Sequence, residues 1–207
     1  MAEISAKDVQ RLRQAAGVGM MDAKKALVET EGDFDKAMEI LRVKGLAKVA
    51  KRATEREASD GTIGHYLHFQ ADRPVTGVVV ELSCETDFVA KHPDFRQIAD
   101  DIALHVAWGK PRWVRREEVD QELLEGQKDL FTQQATEQGK PDHIIAKIVE
   151  GKLNAFFEEK VLYDQPFVNE QRFEGTVGAM VNQLAARMGE NIAVRRVAWL
   201  TVGEDLT

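Results

Sequence analysis

The hydrophobic period changes once along these 207 residues, from roughly 3.6 to 2, and that change constrains the fold more than any other feature. Apolar residues recur at helical spacing up to about residue 57. From Thr62 they alternate as strand residues do. A chain that does both in succession is expected to be α+β, a helical part followed by a part built on a sheet.

The segment 1–57 reads as a helical N-terminal module and its connector. Ser5, with Asp8 three residues on, opens a helix whose Val9, Leu12 and Ala16 share a face until Gly17 and Gly19 interrupt it. A second helix spans Met20 to Glu29, with Met21, Ala23 or Lys24, and Leu27 near one face. Gly32 ends it, and Asp33 caps a third helix striped by Phe34, Ala37, Met38 and Leu41. Gly45 to Ala58 carries Lys48, Lys51, Arg52 and Arg56 and reads as a solvated helical connector. Three short helices hold little apolar area, so the module leans on a partner or on the rest of the chain and presents a surface.

The segment 58–207 reads as an α+β core. Ile63, His65, Leu67 and Phe69 alternate with Thr62, Gly64, Tyr66 and His68 as in a half-buried strand. Asp72, Arg73 and Pro74 turn the chain, and Val75 to Ser83, with Val78, Val79 and Val80 consecutive, reads as a hairpin partner covered on both faces. Pro93 to Trp108 is helical, with Phe95, Ile98, Ile102 and Val106 on one side and Pro111 as a stop. Glu117 to Gln138 is a charged surface helix. Asp142 caps a long helix striped by Ile145, Ile148, Val149, Leu153, Phe156 and Phe157, expected to cross the sheet and to end before Pro166. Thr176 to Met188 is a further helix closed by Gly189, and Ile192, Val194, Ala198, Leu200 and Val202 form a last strand. The expected body is a three-stranded antiparallel sheet covered by helices.

Charge narrows the partners. The net charge of -7 has the wrong sign for attraction to nucleic-acid phosphate. Residues 1–58 hold 12 of the 28 basic and 10 of the 35 acidic side chains, so the excess of acid lies in the core. A protein partner is therefore expected, with no direct nucleic-acid contact. No apolar run reaches the roughly 18 residues of a membrane span, and Lys7 and Asp8 interrupt any signal-like core in Met1 to Gln10. The single cysteine, Cys84, permits neither an intrachain disulfide nor a four-thiolate zinc site, which fits a cytoplasmic chain.

Catalytic and ligand-binding chemistry finds little support. His65 and His68 lie an odd number of residues apart on a strand and point to opposite faces, while His92, His105 and His143 belong to separate elements. No metal site is expected. Cys84 as a nucleophile, with His65 or His105 as base, competes with a buried, inert cysteine whose pKa Glu85 and Asp87 would raise. Gly17-Val18-Gly19 lacks the third glycine of a dinucleotide loop, since Asp22 stands there, and no Gly-Lys-Ser/Thr phosphate loop is present. No cofactor and no catalytic residue are expected.

Two places remain unusual. Cys84-Glu85-Thr86-Asp87-Phe88-Val89 sits where a strand turns into the next element. Either Thr86 or Asp87 caps a helix and Phe88 begins its core, or an acid and a phenyl ring are presented side by side to another protein's pocket. Met20-Met21 carries the same ambiguity, half of the pair packing in the core and half serving as an adaptable apolar contact.

At these two places the sequence resembles the bacterial elongation factor Ts family. Ala16-Gly17-Val18-Gly19-Met20-Met21-Asp22-Ala23-Lys24-Lys25-Ala26-Leu27 is similar to that family's amino-terminal signature, and Glu81-Leu82-Ser83-Cys84-Glu85-Thr86-Asp87-Phe88-Val89-Ala90 to its central one. Gly139-Lys140-Pro141, Asp164-Gln165-Pro166-Phe167-Val168 and Gly189-Glu190-Asn191-Ile192 resemble further landmarks in the same order. The resemblance implies a ubiquitin-associated-like N-terminal module. It also implies a short-form core that pairs with a second copy as a homodimer, and nucleotide exchange on the translational GTPase elongation factor Tu. It implies that Thr86, Asp87, Phe88 and Val89 dislodge magnesium in that partner, and that Val18, Met20 and Met21 dock on it in its GDP-bound and nucleotide-free states. Two other functions remain open: a protein-binding adaptor of ubiquitin-associated-like type without exchange activity, and an enzyme using Cys84.

Overall fold

The computed structural model describes residues 4–204, so the first three residues of the segment 1–57 and the last three of 58–207 lie outside the described residues. Two compact units divide the chain. One comprises Met1–Gly61, Ser83–His92 and Val181–Ala193, the other Thr62–Leu82, Pro93–Met180 and Val194–Thr207. The helical module therefore shares its unit with the turn after the second strand and with the segment before the third.

In the first unit, α1 (Ala6–Ala16), α2 (Met20–Glu29) and α3 (Phe34–Glu55) pack around Val9, Leu12, Ala23, Ala26, Leu27, Ala37 and Leu41. Ser5 caps α1, its hydroxyl oxygen accepting the Asp8 N–H at 3.1 Å. Gly17 ends the helix in the left-handed region, φ 64°, with its N–H on the Arg13 carbonyl. Asp33 caps α3 through the Lys36 N–H. The third helix and the connector are one element, because α3 runs unbroken through Gly45 to Glu55. Nor is the connector wholly solvated: Val49 is buried, and Arg52 donates to the Ala185 carbonyl near the end of α8 (Val177–Met188).

In the second unit, β1 (Asp60–Gln70), β2 (Arg73–Cys84) and β3 (Ala193–Thr201) form a sheet in the order β1-β2-β3. The β1–β2 hairpin turns on Ala71 and Asp72, φ 46° and 65°, so Arg73 and Pro74 belong to β2 rather than to the turn. Two consecutive residues at positive φ match the right-handed strand twist, which is what a two-residue hairpin requires. Thr201 lies beside Thr76, and Arg195 and Arg196 reach back to Glu81, so β3 runs antiparallel to β2.

Helix α5 (Pro93–Gly109) covers one sheet face with Phe95, Ala99, Ile102, Ala103 and Val106 buried. Gly64 lets it approach: a Cβ there would lie 2.2 Å from the Ala99 backbone. This contact inverts the expected polarity of β1. Gly64, Tyr66 and His68 are the more buried set, and Ile63, Leu67 and Phe69 are exposed on the opposite face. Val79 is exposed too, so β2 is not covered on both faces at that point. In β3, Val194 is buried but Leu200, and Val202 just beyond the strand, both expected in it, stand in solvent. Arg195 and Arg196 are adjacent yet both bond Glu81, and the buried parity shifts from even to odd after them, the mark of a β-bulge.

The remaining helices differ from expectation at their ends. A 3-10 turn at Arg116–Glu118 precedes α6 (Gln121–Glu137), which Asp120 caps. Pro141 is the N-cap of α7 (Asp142–Lys160), and Asp142 is its first residue. The helix expected to cross the sheet has no fully buried side chain and pairs with α6. His105 is buried, its Nε2 on the Gln165 Oε1 at 2.9 Å while its Nδ1 accepts the Val168 N–H at 3.2 Å. It serves packing rather than ligation.

The approach at Gly64 sets a test. Gly64→Ala should destabilise the protein by roughly 1–3 kcal/mol, measured by urea unfolding. Gly126→Ala in α6, with open space around it, should instead stabilise by about 0.5–1 kcal/mol. Equal effects at the two sites would refute the packing account.

Candidate functional site

Strand β2 ends at Cys84, and within two residues the chain enters α4 (Asp87–Ala90). Thr86 is its N-cap, its hydroxyl oxygen accepting the Val89 N–H at 3.5 Å, and Pro93 begins α5 two residues beyond the short helix. The expected cap is therefore present, on Thr86. Phe88 does not begin a core, because it is 83% exposed. Leaving a phenyl ring in water forgoes roughly 1.5–3 kcal/mol of burial, so the fold gains nothing from this ring where it stands.

The neighbours of Phe88 are ordered. The Asp87 carboxylate accepts from Lys91 Nζ at 2.6 Å, and that hydrogen bond holds its pKa below the usual carboxylate value. Val89 is half-buried and Ala90 buried. Below the turn, the Glu190 carboxylate accepts the backbone N–H groups of Glu85 and Thr86. Glu190 was visible as a landmark in the sequence, but nothing local could show that it folds onto a turn more than 100 positions earlier.

The residues expected to dock stand at the α1–α2 junction of the same unit. Met20 is 47% and Met21 64% exposed, so neither is a core residue and the expected split of the pair fails. Val18 is partly buried against the helical core. Gly19 caps α2 without a side-chain bond. Beside it lies a cleft of about 270 Å³ lined by Lys25, Lys44, Lys48 and Arg52. Lys44 and Lys48 pair with Glu29 and Asp22 at 2.7 and 3.5 Å, exposed contacts of small worth. Exposed Val28, Val43 and Leu46 add apolar surface to these helices that the sequence pattern did not single out.

Cys84 is buried, and its thiol donates to the Thr86 carbonyl at 3.2 Å. Burial first, then the carboxylates of Glu190 and Asp60, push its pKa up to about 11, so the raising groups are not the expected Glu85 and Asp87. His65 lies beside Asp100, and His68 packs edge-on against Trp108. Among the described residues no group of three or more His, Cys, Asp or Glu side chains converges as a metal site would.

The turn thus presents an aromatic ring and an acid, and the helical module of the same unit presents two exposed methionines. The family model described as Elongation factor TS matches residues 6–183. Elongation factor Ts of Thermosipho melanesiensis is 50% identical over 97% of this chain and 100% of its own length. That of Syntrophomonas wolfei is 47% identical over 98% and 92%, and that of Frankia casuarinae 48% identical over 95% and 96%. The chain belongs to the elongation factor Ts family.

The environment of Cys84 predicts its reactivity. An aromatic disulfide reagent at pH 7 to 8 should label it slowly in the folded protein and at the rate of a free thiol in denaturant. Rapid labelling of folded protein would return the nucleophile reading to contention.

Proposed function

We propose that this chain is a guanine-nucleotide exchange factor for elongation factor Tu, acting during translation elongation without catalytic residues of its own. The observation that carries this reading is the 83% exposed Phe88 on an ordered turn, in a chain of this family. Phe88 enters the partner beside its nucleotide site, while Thr86, Asp87 and Val89 keep the displaced partner segment from closing. Magnesium bridges nucleotide phosphates to protein, so its loss strips charge neutralisation from GDP and speeds departure. No bond is made or broken. The factor must prefer the nucleotide-free GTPase over the GDP-bound form, and by linkage GDP weakens its binding by the same factor. Val18, Met20 and Met21 dock the helical module on the partner, the two exposed methionines offering an adaptable apolar contact.

Phe88→Ala should leave the fold intact, since the ring is 83% exposed, and slow stimulated release of a fluorescent GDP analogue from elongation factor Tu by at least about tenfold. An unchanged release rate would remove Phe88 from the mechanism. Binding of the unaltered chain without any acceleration would favour the adaptor reading.

The homodimer is proposed on the open sheet face, where Ile63, Leu67, Phe69, Val79 and Leu200 are all exposed. A contiguous apolar face of this kind is more than scattered surface residues, and a second copy would cover it with its like. Light scattering should give twice the chain mass, and Leu67→Glu should give the monomer. A monomeric unaltered chain would exclude this pairing.

A further inference from the structure

Phe88 is 83% exposed, so the direction of its ring depends chiefly on the backbone that carries it, and that backbone is gripped from outside its own segment. Glu190 Oε2 accepts the N–H groups of Glu85 at 2.9 Å and Thr86 at 3.1 Å, and its Oε1 accepts the Thr86 hydroxyl at 2.6 Å. The Glu85 carboxylate is held in return. The Asn191 N–H donates to it at 2.6 Å and the Arg56 guanidinium at 3.2 Å, while the Asn191 side-chain amide donates to the Arg56 carbonyl at 2.7 Å. One carboxylate thus takes three donors from two consecutive residues. Charge-assisted bonds of this kind are short and strong, and all three converge immediately before α4.

We propose that Glu190 is the positioning residue of the exchange turn: it fixes residues 85 and 86 so that Phe88 meets the GTPase already ordered. This rests on the exchange reading above. Glu190 bonds the turn itself, at Glu85 and Thr86, so it acts through the residues of that turn. Without the clamp, the turn must be ordered at the moment of insertion, and that entropic cost falls on the step that releases GDP. Initial docking through Met20 and Met21 does not pay it. Loss of Glu190 should therefore lower the maximal rate and leave the concentration dependence alone.

The test is stopped-flow release of a fluorescent GDP analogue from elongation factor Tu over a series of factor concentrations, for the full chain and its variants. Glu190→Gln keeps the side-chain shape but turns one acceptor oxygen into a donor that faces N–H groups. Its plateau rate should fall about tenfold, the equivalent of about 1.4 kcal/mol, with the half-saturating concentration unchanged. Added to Phe88→Ala, it should have a smaller effect than in the unaltered chain, because the ring it helps to aim is no longer there. If Glu190→Gln fails to fold, Glu190→Asp, which draws the carboxylate back from the turn by one methylene, should lower the plateau likewise. A Glu190→Gln plateau equal to that of the unaltered chain, while Phe88→Ala is slow, would overturn the proposal and leave the exchange reading standing. So would a raised half-saturation at unchanged plateau, or an equal slowing in the Phe88→Ala background. Full activity of Phe88→Ala would overturn the exchange reading and this inference together.

Discussion

Water surrounds most of the Phe88 ring, so hydrophobic packing cannot set its direction, and polar bonds beneath it must do so instead. The Glu190 carboxylate under Glu85 and Thr86, and the Thr86 cap under Val89, are those bonds. This is an unusual division of labour for an aromatic residue, which elsewhere in a protein is anchored by the area it buries. Here the area stays available, and the order comes from backbone N–H groups that would otherwise need water. Lys91 on Asp87 extends the same logic to the acid beside the ring, which is kept ionised and fixed without being covered. A ring held this way can enter another protein without first giving up contacts of its own.

The second unit solves a different problem, a sheet with a helix on one face only. The close approach of α5 at Gly64 decides which face that is. Once it is decided, the pleat sends Ile63, Leu67 and Phe69 to the other side, and the bulge at Arg195 and Arg196 sends Leu200 there as well. The result is one buried face and one apolar open face, joined at its end to a polar patch where two arginines meet Glu81. His65 guards the outer edge: its backbone N–H donates to the Asp100 carboxylate at 2.9 Å, so that edge donor is not free to pair with another strand.

Much of the fold was legible because it rests on local rules. The caps at Ser5 and Asp33, the stop at Gly17 and the switch of period at Thr62 are each written within a few residues. What was misread rests on packing between distant segments. Alternation in β1 gives the period but not the side, since the side depends on Ala99 fitting over Gly64. The hairpin turn falls on Ala71-Asp72, where no glycine or asparagine marks positive φ, and the nearby proline drew the expectation two residues too far along. The stripe on α7 was as helical as expected, but periodicity does not name the element that covers it. At the candidate site, capping by Thr86 was legible, whereas the exposure of Phe88 was not, because a ring after a cap is equally suited to core or solvent. Glu190 lay beyond reach, since its bonds span 104 and 105 positions.

The network also joins two parts of the first unit that a reader of the sequence would separate. Arg56 is the C-cap of α3, and its guanidinium and carbonyl bond Glu85 and Asn191 respectively. Helix α3 is unbroken over 22 residues, about 33 Å at 1.5 Å per residue, and packs against α1 and α2 at its other end. On the proposed reading, the α1–α2 junction docks and the α4 turn inserts. A flexible linker between the two would let one bind without bringing the other into place, and the gain from linking would fall with linker length. A continuous helix whose C-cap bonds the turn limits that freedom, so on the same reading docking of the module brings the ring along with it. On that reading the uninterrupted connector, which composition alone makes a solvated spacer, would share in aiming Phe88.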